Sequence, residues 1–235
     1  MGKPLTSQKR GKGSPAYTAP SHRFKAEVRY RNVKEPVVRG EIIEFVDDPA
    51  RTAILMKIVY SDGLELMLPA FESAKIGDII GQGDKAALSL GSVMKLKYIP
   101  EGYPVFNIET KPGRGGNIAR SSGASCFIIS KDKGLVFIRL PSKQNKYFSE
   151  ECRATIGNAA GGGRTAKPML KAGVGDYKRA ARKKYRKVRG VKMCAVDHPY
   201  GGKEHHGSVS IKGDGGCPGQ HVGSFGSSRT GRRKR

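Results

Sequence analysis

The 235-residue chain contains no tryptophan, only four cysteines, and fewer than half as many acidic residues (20) as basic ones (44). Each shortage excludes something. No run of about 18 apolar residues occurs, so no segment reads as a membrane-spanning helix. Cys126, Cys152, Cys194 and Cys217 form no CxxC pair and no apolar leader precedes them. Reduced thiols in a cytosolic compartment are therefore expected, not a disulfide frame. Neither G-x-x-x-x-G-K-[ST] nor G-x-G-x-x-G is present, which leaves nucleotide-loop chemistry unsupported. The opening MGKPLT fits the loose N-myristoylation pattern, but so short a match inside a basic segment is better explained by the basic arm itself.

What is present in excess is positive charge: +24 in total, with a pI near 10.1. Charge on that scale bears on partners and not on fold, and the usual partner is nucleic acid or an anionic membrane. The charge is unevenly placed. Residues 1–40 carry a net +8, residues 41–105 a net −4, residues 106–163 a net +5 and residues 164–235 a net +15. A near-neutral body between two cationic ends describes a folded frame that presents polyanion-binding arms. The 32 glycines, about twice the average usage, suit exposed loops and arms. The first arm, from Met1 to Pro20, is too poor in aliphatics to fold alone and is expected to order only on its partner. Phe24 and Tyr30 lie where that arm meets the body, and either base stacking or anchoring to the core would account for them.

The body reads as mainly β. Apolar runs at 37–46 and 53–60 are separated by the turn residues Asp47-Asp48-Pro49, and Ser61-Asp62-Gly63 signals a hairpin into the alternating stretch 64–68. Segments 77–81 and 92–96 complete about five short strands, the number in a small OB-fold-like barrel, although a sandwich fragment would give the same string. Further strands at 105–108, 124–129, 135–140 and 153–156, with a turn at Lys131–Gly134, suggest a second, SH3-like barrel. The expected divisions are a basic extension (1–36), an OB-fold-like domain (37–102), an SH3-like domain (103–163) and a basic extension (164–235). Cys126 and Cys152 fall in or beside apolar strands and read as buried thiols. The Gly161-Gly162-Gly163 run suits either a hinge or a loop lying close to a phosphate or sugar edge.

Nine cations, Lys178, Arg179, Arg182, Lys183, Lys184, Arg186, Lys187, Arg189 and Lys192, are packed into fifteen residues. Asp176 as N-cap and Gly190 as the residue past the C-terminus bracket one short basic helix. Tyr177, Ala181, Tyr185 and Val188 then share a narrow apolar face, and the cations would lie along phosphates. The Asp197-His198 pair that follows is a conceivable general base. No nucleophile or oxyanion motif accompanies it, so no enzyme is expected and His198 reads as a structural contact. Cys194, His198, His205, His206, Cys217 and His221 crowd 28 residues and offer zinc-type donors. Their spacing fits no standard finger, and no metal or other cofactor is assigned.

Several segments in order carry a family resemblance. They are Ala19–Arg23, Arg153–Ile156 with Gly161–Gly163, Lys167-Pro168, Lys171–Gly173, Val188–Val191, Ala195–Pro199 and Arg229–Arg232. Together they resemble the universal large-subunit ribosomal protein two family, in its archaeal and eukaryotic-cytosolic branch, across essentially the whole chain. The resemblance implies an OB-fold domain, an SH3-like barrel and two extensions threaded into large-subunit ribosomal RNA. It also implies roles in subunit association, tRNA binding and support of the peptidyl-transferase region, in a cytoplasmic ribosome and away from membranes. Expected partners are large-subunit ribosomal RNA, neighbouring ribosomal proteins and small-subunit RNA at the subunit interface. His22, Arg23, Arg153, Arg164, Lys167, Lys171, His198, Arg229 and Arg232 join the nine cations as expected RNA contacts. One departure matters: Tyr200 stands where the family loop usually has a second histidine, which weakens any two-histidine role in peptide transfer. The family requires no metal.

Overall fold

The computed structural model describes residues 6–15, 17–32, 35–182, 188–198 and 201–202, with 6, 7 and 178–182 placed by their backbone. Two compact units emerge: Ser21–Pro168, and Met1–Pro20 together with Met169–Arg235.

The first unit is built on the period-two patterns of its sequence. In β1 (Val38–Val46) the buried Val38, Gly40 and Ile42 alternate with the exposed Arg39, Glu41 and Ile43, until a bulge between Ile42 and Glu44 shifts the register. The strand pairs antiparallel with β2 (Leu55–Tyr60), and the Ser61–Gly63 turn, with Gly63 at φ +81°, delivers the chain into β3 (Glu65–Pro69). Next come β4 (Ile79–Gln82) and β5 (Val93–Lys95), then β6 (Pro104–Phe106), β7 (Ile108–Glu109) and β8 (Gly116–Ile118). The last four are β9 (Cys126–Asp132), β10 (Leu135–Arg139), β11 (Asn145–Ser149) and β12 (Arg153–Ile156). Ten of these form one sheet in the order β11-β10-β9-β6-β12-β5-β4-β1-β2-β3, while β7 and β8 pair separately. The protein is mainly β, as its sequence implies.

Two hydrophobic cores lie along that sheet. One gathers Ile42, Leu55, Ile58, Leu68 and Ile80, and takes in Val28 and Tyr30 from the chain ahead of β1. The other gathers Leu96, Ile99, Ile128, Val136, Ile138 and Ile156. Between them β12 pairs with both β5 and β6, so one four-residue strand joins the two halves. The pairing shows two cores on one continuous sheet, with β3 and β11 as its end members among the described residues. Tyr30, which the sequence leaves open between stacking and anchoring, is an anchor at 5 % exposure.

Three expectations need correction. Strands β8 and β11 go unseen in the sequence because β8 is glycine-led and β11, Asn-Lys-Tyr-Phe-Ser, shows a single buried residue, Phe148. The first arm, expected to lack structure until bound, carries a short helix, α1 (Thr6–Gly11). The basic helix, α2, runs Ala172–Arg182, so it begins four residues before Asp176, which lies inside the helix and not at its cap. Gly190 does not close that helix: Arg189 is extended and Gly190–Lys192 form a separate 3-10 turn. Tyr177 and Val188, expected on a shared apolar footing, are 81 % and 62 % exposed.

Burial raises the Cys126 thiol to about 12 and the Tyr60 phenol to about 12. Burial, helped by the nearby Glu109 charge, raises Cys152 to about 11. The folded state holds these protons longer than the unfolded chain, where thiols and phenol ionise near 9.0 and 10.0. The stability they contribute is therefore complete below about pH 9 and is lost as pH rises towards 12. We expect Cys126 and Cys152 to resist iodoacetamide at pH 8 for as long as the fold persists, while the exposed Cys194 is alkylated. Mass mapping of the labelled peptides checks this. Equal labelling of all three would contradict the burial.

Candidate nucleic-acid interface

The surface that meets a polyanion is only as well defined as the frame beneath it, and two buried carboxylates, Glu109 and Asp48, pin the N-terminal segment to that frame. Glu109, at the end of β7, is fully buried. Arg153, the first residue of β12, donates to it from its backbone N–H (2.9 Å), Nε (3.1 Å) and Nη2 (2.8 Å). Gly115 N–H (2.9 Å) and Gly113 N–H (3.4 Å) complete the set from the loop joining β7 to β8. A buried charge without such partners would cost several kcal/mol, whereas here every lone-pair direction is engaged.

Arg153 passes this order to the N-terminal segment. Its Nη1 donates to the Arg31 carbonyl at 2.5 Å, and its guanidinium stands 5.4 Å from the centre of the Tyr30 ring. The Tyr30 hydroxyl donates to the Asn107 carbonyl (2.6 Å), so Thr155 Oγ1 at 2.7 Å must donate to it in turn. Gln82 donates to the same Arg31 carbonyl (2.7 Å) and accepts from Tyr60 (2.7 Å), and the Arg31 side chain pairs with Asp62 (2.6 Å). Further up, Asp48 accepts from Lys25 N–H (3.2 Å) and pairs with Arg51 Nε (3.0 Å). Residues 25–31 are thus stapled to the body at both ends, with Val28 and Tyr30 packed into the first core.

The expected RNA contacts fall into distinct surroundings. His22 and Arg23 form an exposed 3-10 turn at the start of the first unit. Lys167 and Lys171 are exposed, and so is Arg164, whose Nε donates to Ser122 Oγ (2.5 Å). Arg153 faces inward to Glu109, with 14 % of its side chain exposed. Lys178, Arg179 and Arg182 are carried by α2, Arg189 is exposed, and Lys192 is exposed in the Gly190–Lys192 turn. His198 is half-buried in a loop closed by Gly201 N–H to the His198 carbonyl (3.0 Å) and Gly202 N–H to the Met193 carbonyl (3.1 Å). A β carbon at Gly190 would overlap its imidazole ring, so the loop is folded back on the turn. Lys183, Lys184, Arg186, Lys187, Arg229 and Arg232 lie outside the described residues, as do Tyr200 and the donors His205, His206, Cys217 and His221. Among the described residues no three His, Cys, Asp or Glu side chains are placed to hold a metal, and no helix is long and apolar enough to cross a membrane.

The Gly161–Gly163 run is exposed, and its middle residue packs against Gly123. A β carbon at Gly123 would collide with Gly162 Cα, so backbone lies against backbone there, and Gly123 N–H bonds to Ala159 and Ala160 carbonyls. Four arginines that sequence reading passes over, Arg29, Arg51, Arg114 and Arg120, line a single cavity of the first unit. A search for charge runs misses them because they are isolated along the chain and belong to three separate segments.

The comparisons with known proteins agree with one another. Residues 89–217 match the family described as "Ribosomal Proteins L2, C-terminal domain". The chain is similar to the large ribosomal subunit protein uL2 of Natronomonas pharaonis, at 44 % identity over 99 % of this chain and 97 % of the relative. It is similar to that of Methanothrix thermoacetophila at 44 % identity over 99 % and 100 %, and to that of Archaeoglobus fulgidus at 42 % over the full length of both.

The seam makes a specific demand on stability. Tyr30→Phe leaves the ring in place but strips the Asn107 carbonyl and Thr155 hydroxyl of their partner, and should cost about 1–3 kcal/mol. Tyr147→Phe, on the edge strand with 62 % of the residue exposed, should cost less than about 0.5 kcal/mol. Urea titrations of both variants give the comparison, and equal costs would show that the Tyr30 hydroxyl carries no such burden.

Proposed function

Since the chain belongs to the uL2 family of large-subunit ribosomal proteins, we propose that its frame and extensions work as a structural clamp on large-subunit ribosomal RNA. It is a structural constituent of the large ribosomal subunit. The observation that supports this most is the match to uL2 proteins along the full length of the chain, extensions included. The charge distribution agrees: the body is near neutral from 41 to 105, while residues 164–235 carry a net +15. That cation density invites release of condensed counterions from RNA and not a coat of water.

In this reading residues 1–36 and 164–235 are the RNA-bound extensions, and 37–102 and 103–163 are the OB-fold-like and SH3-like parts that hold them in register. The cations from Lys178 to Lys192, with His22, Arg23, Arg164, Lys167, Lys171, Arg229 and Arg232, neutralise phosphates. Arg153 serves the same end indirectly by holding the N-terminal segment. His198 stabilises its own loop and touches RNA near the peptidyl-transferase region, where RNA does the chemistry and this chain contributes no catalytic step. Support for subunit association and tRNA binding follows from that position, with neighbouring ribosomal proteins and small-subunit RNA as further partners. The setting is the cytoplasmic ribosome.

The protein should sediment with the large subunit at one copy per particle in sucrose gradients at moderate salt. A free RNA chaperone would stay near the top of the gradient. For purified protein binding a ribosomal RNA fragment through about eight phosphates, log affinity should fall against log salt with a slope of about −6 to −7. Affinity indifferent to salt would contradict the proposal.

A further inference from the structure

The extensions are not the only cationic surface. The first unit contains a cavity of about 510 Å³ into which Phe24, Arg29, Arg51, Arg114, Asn117 and Arg120 are gathered. Its size lies within the usual range for small-molecule sites, roughly 300–1,000 Å³. Four guanidinium groups around one hollow repel one another, and an anion is what relieves that repulsion.

The carboxylates present relieve it only in part: Glu27 is the single acidic residue in the lining, and Asp48 reaches Arg51 alone. Among the described residues, Arg114 and Arg120 have no carboxylate partner, and Arg29 has only Glu27, in a pair whose side chains are 68 % and 72 % exposed. Solvent-exposed pairs of that kind are held weakly and are readily exchanged. Arg51 is fixed by Asp48, yet its Nη1 is buried without a hydrogen-bond partner. Burial lowers the Arg51 pKa; the Asp48 charge opposes that shift and the nearby Arg120 charge adds to it. A larger hollow of the same unit, about 710 Å³ around Lys95 and Arg153, makes the contrast. There Lys95 is paired with Asp84 and Glu151, and Arg153 with Glu109, so two of its three lining cations hold carboxylates and only Lys85 has none among the described residues.

The cavity also offers more than charge. Phe24 stands in its wall with 36 % of the residue exposed. The Asn117 amide, held by its Nδ2 donation to the Gly115 carbonyl (3.1 Å), is exposed beside it. Guanidinium groups take phosphate oxygens in paired hydrogen bonds, an aromatic ring takes a base face, and a carboxamide takes a base edge. A duplex is convex and would meet a concave site only through its backbone. An unpaired nucleotide turned out of the helix can enter it.

Resting on the ribosomal-RNA reading above, we propose that this cavity captures a single unpaired RNA nucleotide, phosphate against the arginines and base against Phe24. It gives the folded unit a site for RNA shape, built where residues 24–29 of the first extension pack against the body.

The test uses the full chain and two RNA hairpins of the same stem, one fully paired and one carrying a single-nucleotide bulge, titrated at several salt concentrations. Stacking on an aromatic side chain is worth about 1–3 kcal/mol per base, so the bulged hairpin should bind about tenfold more tightly. Phe24→Ala, and separately Arg114→Ala, should bring that preference close to one. Neither should change affinity for the paired hairpin by more than about twofold. Arg139→Ala, an exposed cation elsewhere in the same unit, should keep the preference. Equal affinity of the intact protein for the two hairpins, or a preference that survives both cavity substitutions, would overturn the inference while leaving the RNA-binding role intact. Salt-insensitive binding to both hairpins would instead overturn the RNA-binding reading itself, and this inference with it.

Discussion

The buried Glu109 carboxylate ties the joining strand of the body to the N-terminal segment. Glu109 receives five hydrogen bonds, three from Arg153 and two from its own loop. A charge at zero exposure is tolerated only because those donors replace the water it lost. The arrangement does more than satisfy a charge. Arg153 begins β12, the strand that joins the two halves of the sheet, and its free guanidinium edge holds the Arg31 carbonyl. One ion pair therefore ties together the β7–β8 loop, the joining strand and the N-terminal segment.

That tie reaches the cationic hollow, because the N-terminal segment carries part of its lining. Phe24 and Arg29 reach the cavity wall from a stretch whose backbone is held by Asp48 at one end and by Gln82 and Arg153 at the other. Preorganised groups bind at lower entropic cost than mobile ones.

Much of this was legible in the sequence, for identifiable reasons. Strands β1 and β2 announce themselves as apolar runs, β3 through alternation, and the Asp62-Gly63 turn through its chemistry, because buried strands and tight turns leave local signatures. The neutral body and cationic ends were visible in charge alone. What was hidden depends on contacts distant in sequence. Arg153 looks like one more RNA-facing cation until Glu109, 44 residues away, is seen beneath it. Asp48 looks like a turn residue, yet it also pins Lys25 from 23 residues away. The start of α2 was misplaced because Asp176 is a good cap by composition, while the chain continues helical through Gly173 and Gly175 ahead of it. The arginine cavity has no linear signature at all.

Hydrogen exchange measured by mass spectrometry on the full chain and its Glu109→Ala variant tests the central dependence most directly. With Glu109 in place, peptides spanning 25–31 should be protected, as should those spanning the β1–β3 region, 38–69. Removal of the carboxylate should raise deuterium uptake across 25–31 and around 113–115 while 38–69 stays protected, because Arg153 then loses its hold on the Arg31 carbonyl. Uptake across 25–31 that stays as low as in the intact protein would show that the N-terminal segment does not depend on the buried pair, and would contradict the account.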